Sequence, residues 1–197
     1  MQLCGTNDIL KMIKYAMKEV DRCYYSISCA KMASPKLRER TYCYELYHQM
    51  RILQDKNKDN TNFDIMTIHG EIDKRGGGAV PQKFNPDFVF HVPGKMYKNL
   101  VVVEVKVNWN KEKVKKDFTT LCTMTYLYGY QTGVFVLVGK NQSYVNRYIN
   151  KDKLNYLYSE IGDLSRVDNK IYIYTQTYLD NGTSIVHCKT LREIHNS

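Results

Sequence analysis

An apolar run in the middle of the chain, starting at Leu100, ends in the charged segment Glu104-Val105-Lys106. Side chains alternate between the two faces of a β-strand, so Glu104 and Lys106 project from one face and Val105 from the other. A carboxylate and an ammonium inside an otherwise apolar strand are costly to bury, and they need partners or a functional purpose. The pair lies at the carboxyl end of the predicted strand, where we expect the sheet to open to solvent.

A second carboxylate, Asp87, lies in the preceding predicted strand, directly after Pro86. If the two strands pair, Asp87 lies beside Glu104, and each carboxylate raises the pKa of the other. A divalent cation removes this repulsion, and hard oxygen ligands of this kind favour Mg²⁺ or Mn²⁺. Lys106 would then stand next to a water molecule on the metal.

Together, Pro86-Asp87 and Glu104-Val105-Lys106 resemble the two halves of the motif that defines the PD-(D/E)XK nuclease superfamily. The resemblance covers the core from roughly residue 37 to residue 139. It implies a restriction-endonuclease-like α/β fold, with a mixed central sheet flanked by helices and strand-strand-strand-helix-strand order. It also implies an Mg²⁺-dependent endonuclease in which Lys106 orients or deprotonates the attacking water. Cleavage would leave a 5′-phosphate and a 3′-hydroxyl.

The same resemblance implies a set of metal ligands. Asp87, Glu104 and the backbone carbonyl of Val105 would hold one Mg²⁺, for which Mn²⁺ is expected to substitute. The superfamily commonly adds a glutamate from the helix before the sheet, and Glu45 would serve as this ligand directly or through water. Gln49 lies one helical turn later and is a candidate accessory residue. A solvated helix face is the alternative interpretation of Glu45.

Apolar periodicity and turn signals predict the elements that position these residues. The predicted helices span residues 8–32, 35–54, 111–128 and 143–161, and the predicted strands span 65–73, 84–92, 100–107, 134–139, 170–178 and 184–189. We expect one nuclease-like domain over residues 1–197. Within it, residues 1–62 form the N-terminal helices, 63–140 the catalytic core, and 141–197 a C-terminal helix and strand pair.

The chain is basic, with a formal net charge of +9, which fits either a polyanionic partner or a cationic surface. The candidates for nucleic-acid contact are four lysines at the start of the helix after Lys106 and an arginine in a glycine-rich turn: Lys111, Lys113, Lys115, Lys116 and Arg75. Cations at a helix N-terminus oppose the macrodipole, so these lysines favour phosphate contact, with a solvated face as the alternative. His91 is either an accessory residue near the phosphate or a structural histidine.

The six cysteines include no CxxC pair, which indicates reduced thiols in a cytoplasmic protein. The first ten residues lack a signal-peptide pattern, and every apolar run is too short for a membrane span, so we expect no membrane partner. The 17 tyrosines are spread along the chain, which favours packing roles over base stacking.

The leading hypothesis is a metal-dependent nuclease, with DNA favoured over RNA as the substrate. Target choice would come from the late region of the chain, from a homodimer or from a partner chain. The first alternative is a non-catalytic nucleic-acid-binding or assembly module on the same fold. The second is an unrelated basic α/β protein, which predicts that Asp87 and Glu104 lie far apart.

Overall fold

The computed structural model describes residues 5–57, 66–71, 84–149, 154 and 163–196. Its helices are α1 (Thr6–Glu19), α2 (Glu39–Lys56), α3 (Lys111–Tyr126), α4 (Gln142–Tyr148) and α5 (Leu191–His195). Its strands are β1 (Ser26–Ile27), β2 (Lys36–Leu37), β3 (Thr67–Gly70), β4 (Phe88–His91), β5 (Asn99–Lys106), β6 (Thr132–Val138), β7 (Ile171–Tyr178) and β8 (Ser184–Thr190). Arg75 and its glycine-rich turn lie outside the described residues.

The larger sheet has six strands in the order β3-β4-β5-β6-β7-β8. The β3–β4 and β4–β5 pairs are antiparallel, the β5–β6 and β6–β7 pairs are parallel, and β8 returns antiparallel to β7. Helix α3 supplies the crossover between the parallel strands β5 and β6. The prediction of a mixed central sheet with strand-strand-strand-helix-strand order is therefore confirmed.

Helices cover both faces of this sheet because its central strands are apolar on both sides. All eight residues of β5 are buried. Val101, Val103 and Val105 face α1 and α2, where they join a core that includes Ile13. Val102 faces α3 and the later helices, in a second core. The sheet is thus the middle layer of three, and the carboxyl ends of β5 and β6 lie at the same edge of it.

The N-terminal region differs from its prediction. The helix predicted over residues 8–32 ends at Glu19, because Val20 is extended and the chain then forms the short strand β1. The helix predicted to start at residue 35 begins at Glu39, because residues 36–37 pair with β1 as β2. The backbone N–H of Arg38 donates to the carbonyl of Tyr25 at 2.8 Å, which holds this ribbon beside the start of α2.

Several further boundaries differ, and the late strands agree. The strand β3 stops at Gly70, since Glu71 adopts a left-handed conformation with φ of 50°. The strand β4 starts at Phe88, four residues later than predicted. The helix α4 ends at Tyr148, and most of the remaining predicted helix lies outside the described residues. The pair β7 and β8 lies within one residue of its predicted bounds.

Candidate active site

The carboxyl end of β5 carries the two charged residues that the sequence singled out. Glu104 and Lys106 are each 6% exposed, and they project from the same face as Val102. Strand alternation alone places them there, because β5 keeps an unbroken register with β6 from Val101 to Lys106. Both charges are therefore held inside the protein, toward the layer that contains α3.

Asp87 lies beside this strand end, directly before β4. The Asp87 carboxylate oxygen Oδ2 accepts a hydrogen bond from the backbone N–H of Val105 at 2.7 Å. Phe88 pairs with Val103 in the antiparallel ladder. Asp87 comes one residue before Phe88, so its hydrogen bond with Val105 extends the contact between the two strands beyond that pair. Asp87 and Glu104 lie near enough to each other that the charge of Asp87 raises the pKa of Glu104. The structure thus brings together the two carboxyl groups that an accidental motif would leave far apart.

Lys106 makes three polar contacts at this edge of the sheet. Its Nζ donates to the carbonyl of Val105 at 3.0 Å, and it lies 3.1 Å from Glu39 Oε1 and 3.1 Å from Asp117 Oδ2. Glu39 opens α2 and Asp117 lies on α3, so one ammonium joins β5 to helices on both sides of the sheet. These contacts fix the Lys106 side chain in one position.

The electrostatics of the cluster show an excess of negative charge. Burial, followed by the charge of Asp87, raises the pKa of Glu104 well above its usual range. Burial also raises the pKa of Asp87, while the N–H of Val105 acts in the opposite direction. Burial raises the pKa of Asp117 to about 6 despite its contact with Lys106. Within the described residues, the Lys106 ammonium lies within ion-pairing distance of Asp117 and Glu39, and no ion pair joins Asp87 or Glu104 to a cation.

Residues of the cluster fit a hard divalent cation by their chemistry. Mg²⁺ is usually held by one or two carboxylates, with water completing its coordination shell. Asp87, Glu104 and the Val105 carbonyl supply such a donor set, and a cation would relieve the repulsion that raises both carboxyl pKa values. No three His, Cys, Asp or Glu side chains in the described ranges are arranged to hold a metal together. The fit therefore depends on two carboxylates and one backbone carbonyl.

Access to the cluster is from the side of Asp87 and Glu39. Both residues line a cavity of about 590 Å³ between α2 and the edge formed by β3 and β4. Tyr44, which is exposed, and Tyr47 form part of the same wall on α2. A cavity of this size lies within the range of protein ligand sites, and it opens directly onto the acidic cluster.

Several predicted site residues lie elsewhere. Glu45 is six residues after Glu39, a rotation of about 240° around the helix, which directs it away from the cavity. Its carboxylate accepts a hydrogen bond from Gln49 Nε2 at 2.7 Å, so the two residues satisfy each other on another face of α2. His91 lies at the far end of β4 from Asp87, where its Nε2 is 2.8 Å from His69 Nδ1. The structure therefore does not bring Glu45, Gln49 or His91 into the cluster.

The predicted lysines occupy the outer face of α3. All four side chains at positions 111, 113, 115 and 116 are exposed in the first two turns of the helix. This placement suits either contact with phosphates or a solvated surface.

No helix in the described part of the chain is long and apolar enough to span a bilayer.

Two residues of the cluster, Glu39 and Asp117, were missed by sequence reasoning. Asp117 occupies a position on the buried face of α3, with Val114 before it and Leu121 after it at helical spacing. A carboxylate at an apolar position was a usable signal, because burial there is costly without a cation. Glu39 gave no comparable signal, since the predicted start of its helix was four residues too early.

The comparisons with known proteins do not identify a function for this chain. No protein-family model matches the sequence, and no curated protein matches it. Among solved structures, the fold is similar to that of Pyrococcus furiosus SfsA in complex with Ca²⁺, with 12% sequence identity and a TM-score of 0.40. The match covers 81% of this chain and 72% of that chain. Similarity at this level has no bearing on what the present chain does.

Proposed function

We propose that this protein is a metal-dependent nuclease of the PD-(D/E)XK type, which hydrolyses phosphodiester bonds in nucleic acid. The observation that carries the proposal is the meeting of Asp87, Glu104 and Lys106 at the carboxyl end of β5. A carboxyl pair and an ammonium are buried there beside a cavity of about 590 Å³. A purely structural role does not explain why acidic groups outnumber the ammonium in a buried cluster.

Asp87, Glu104 and the Val105 carbonyl are the residues that would hold Mg²⁺. When bound, the ion would make a water molecule more acidic and offset the charge that grows on the phosphate. The two carboxylates would orient the ion through their fixed positions at the strand end. The hydrogen bond from the Val105 N–H to Asp87 sets this orientation, because it holds the Asp87 side chain against the backbone of β5.

Lys106 would act as a cation rather than as a base. The charges of Asp117 and Glu39 raise the pKa of Lys106 against the opposing effect of burial, so its ammonium keeps its proton at neutral pH. A protonated Lys106 can donate hydrogen bonds to phosphate oxygens and stabilise their developing charge. Glu39 and Asp117 would position it, since each contacts Nζ at 3.1 Å.

The proposed substrate is DNA, cut within the chain to leave 5′-phosphate ends. The basic net charge of +9 supports a polyanionic substrate, and the exposed lysines at the start of α3 offer sites for phosphate contacts. The residues that select a target would come from this chain, a second copy or a partner chain.

The test incubates the purified protein with plasmid DNA and with single-stranded DNA, in Mg²⁺, Mn²⁺ or EDTA. Asp87→Asn is an informative variant, because asparagine keeps an oxygen that accepts from the Val105 N–H but removes the negative charge. Glu45→Gln is the matched control from another face of α2. Metal-dependent cleavage that is lost in Asp87→Asn and Lys106→Ala and kept in Glu45→Gln supports the proposal. Binding of nucleic acid without cleavage in any metal would instead favour a non-catalytic binding module.

A further inference from the structure

A cluster of aromatic side chains lies at the edge of the sheet that carries Lys106. Trp109 follows β5, and its ring centroid lies 5.3 Å from that of Tyr144 and 5.5 Å from that of Tyr148, both on α4. The two tyrosine rings are 4.5 Å apart. Lys140 Nζ lies 4.9 Å from the Tyr144 ring centroid. Trp109 is thereby gathered with two tyrosines and a lysine that come from one later segment of the chain.

This cluster borders an open pocket. The pocket has a volume of about 330 Å³, and its lining includes Trp109, Tyr144, Lys140 and Val107, the residue directly after Lys106. Gly139 also lines the pocket, and its φ of 76° is a left-handed conformation that favours glycine. Tyr25 and Leu37 are further lining residues, so the pocket lies between the aromatic cluster and the β1–β2 ribbon.

The pocket is the end of a chain of adjoining cavities that begins at the acidic cluster. The cavity of about 590 Å³ beside Asp87 shares Glu39, Arg40 and Tyr44 with a neighbouring cavity of about 540 Å³. That second cavity shares Leu37 with the pocket of about 330 Å³. The three cavities thus follow one another around the start of α2, and Arg38, Arg40 and Tyr44 are among the residues that line them.

We propose that the pocket lined by Trp109, Tyr144 and Lys140 binds an unpaired base of a single-stranded segment of nucleic acid. The inference rests on the proposed function, because the base would belong to the strand whose backbone reaches Asp87. Aromatic rings stack on the face of any base, and a nearby lysine neutralises the adjoining phosphate. A base inside a duplex has both faces covered by its neighbours, so only an unpaired or extruded base can enter.

Packing alone does not account for the cluster. Trp109 and Tyr144 contact the core under α4, but both also line the pocket, and Tyr148, which packs against their rings, is 40% exposed. An anchor for α4 would need no cation and no open space beside it. The combination of stacked rings, a lysine and a cavity matches the requirements for recognising a base with its phosphate.

Trp109 provides a direct reporter, because it is the one tryptophan of the chain. Binding is measured in EDTA, so that cleavage has no part in it, by the fluorescence of Trp109 and by the anisotropy of a labelled oligonucleotide. The ligands are oligo(dT) of about twelve nucleotides, an abasic oligonucleotide of equal length, and a DNA duplex. We expect oligo(dT) to quench Trp109, and the abasic strand and the duplex to quench it far less.

Variants of the lining residues separate stacking from charge. Tyr144→Ala should weaken oligo(dT) binding about tenfold, with little change for the abasic strand. Lys140→Gln should weaken binding of both and reduce the dependence of affinity on salt by about one phosphate contact. Tyr97→Ala and Lys98→Gln are the matched controls, since Lys98 also lies over a tyrosine ring, at 5.9 Å, on an exposed surface elsewhere. The controls should bind as the wild type does.

Equal quenching by oligo(dT) and the abasic strand, or unchanged affinity in Tyr144→Ala, would overturn the inference. These outcomes are separable from failure of the proposed function. If the protein cleaves nucleic acid but Trp109 is not quenched, the base-binding pocket is contradicted and the nuclease proposal stands. If Trp109 is quenched with the expected variant effects but no metal supports cleavage, the nuclease proposal is contradicted and the base-binding pocket stands.

Discussion

Lys106 Nζ lies 3.1 Å from Asp117 Oδ2, and each of these side chains is 7% exposed. The ion pair connects β5 to α3 inside the protein. Glu39 contacts the same ammonium, and Asp87 and Glu104 lie beside it, so one cation serves a group of carboxyls. This imbalance determines how the protein should respond to mutation, pH and metal.

Loss of the ammonium should destabilise the metal-free protein. Lys106→Met keeps most of the side-chain volume but leaves the surrounding carboxylates without their cation. We expect the free energy of unfolding in urea to fall by about 3 kcal/mol near neutral pH. The cost should shrink near pH 5, because Asp117 takes up a proton there. Lys116→Met, an exposed change on α3, is the control and should have little effect; equal losses in the two variants would contradict the role of the cluster.

Stability of the metal-free protein should depend on pH through Asp117. Its pKa is raised from the ordinary 3.8 to about 6, so the folded state binds this proton more tightly than the unfolded state does. The resulting stabilisation is fully present below about pH 4 and is lost as pH rises through about 6. Asp117→Asn lacks this term, and its curve of unfolding free energy against pH should be flatter by about 3 kcal/mol across that range.

An exposed aspartate offers a control of opposite sign. Hydrogen bonds from Ser165 lower the pKa of Asp163, so its contribution to stability is present at neutral pH and is lost as pH falls. Asp163→Asn should therefore change the curve only below about pH 4, where it removes a rise of stability with pH, and should leave the decline between about pH 4 and 6 unchanged. If Asp163→Asn flattens that decline as Asp117→Asn does, the burial of Asp117 is not the cause.

Metal binding should require Asp87 and should strengthen with pH. Calorimetry with Mn²⁺ is expected to detect a site in the wild type and to lose it in Asp87→Asn and Glu104→Gln. Because burial raises the pKa of both carboxyls, protons compete with the ion, and the affinity should be lower near pH 5 than near pH 8. Glu45→Gln should bind as the wild type does. A binding constant independent of pH would place the ion elsewhere.

Much of this site could be read from the sequence because it depends on strand alternation. Glu104 and Lys106 share a face by the period of two, and Asp87 adjoins them through ordinary antiparallel pairing. The apolar strands β5 and β6 were recognisable for the same reason, since both of their faces are buried. Local periodicity was sufficient to predict the position of a residue wherever that position depends on a single strand or helix.

Contacts between distant segments were not readable in this way. Glu39 was missed because the start of α2 depends on the β1–β2 ribbon, a pairing that local propensity does not reveal. The tyrosines were interpreted as dispersed packing residues, yet Tyr144 and Tyr148 meet Trp109 through the turn from β6 into α4. Such groupings follow from tertiary structure, which a single sequence does not specify position by position.

Glu39 should matter for cleavage without holding the metal. Glu39→Gln removes one of the two charges that position Lys106, so we expect the turnover number to fall about tenfold. The affinity for Mn²⁺ should stay within twofold of the wild-type value, roughly, because Glu39 is not among the proposed ligands. Glu45→Gln should leave both quantities unchanged. If only Glu45→Gln lost turnover, Glu45 rather than Glu39 would be the acidic residue that α2 contributes to the site.

A buried polar network should limit stability far from the proposed chemistry. The Tyr42 hydroxyl donates to Gln176 Oε1 at 2.5 Å, and the Gln176 amide donates in turn to the carbonyl of Met17, which joins α2, β7 and α1. Tyr42→Phe removes the donor and leaves a buried oxygen unpaired, so the free energy of unfolding should fall by about 2 kcal/mol. Tyr44→Phe, at an exposed position two residues later, should cost almost nothing. Urea titration of the two variants measures these losses. Equal stabilities would contradict the prediction, because they would mean that Gln176 finds another hydrogen-bond donor.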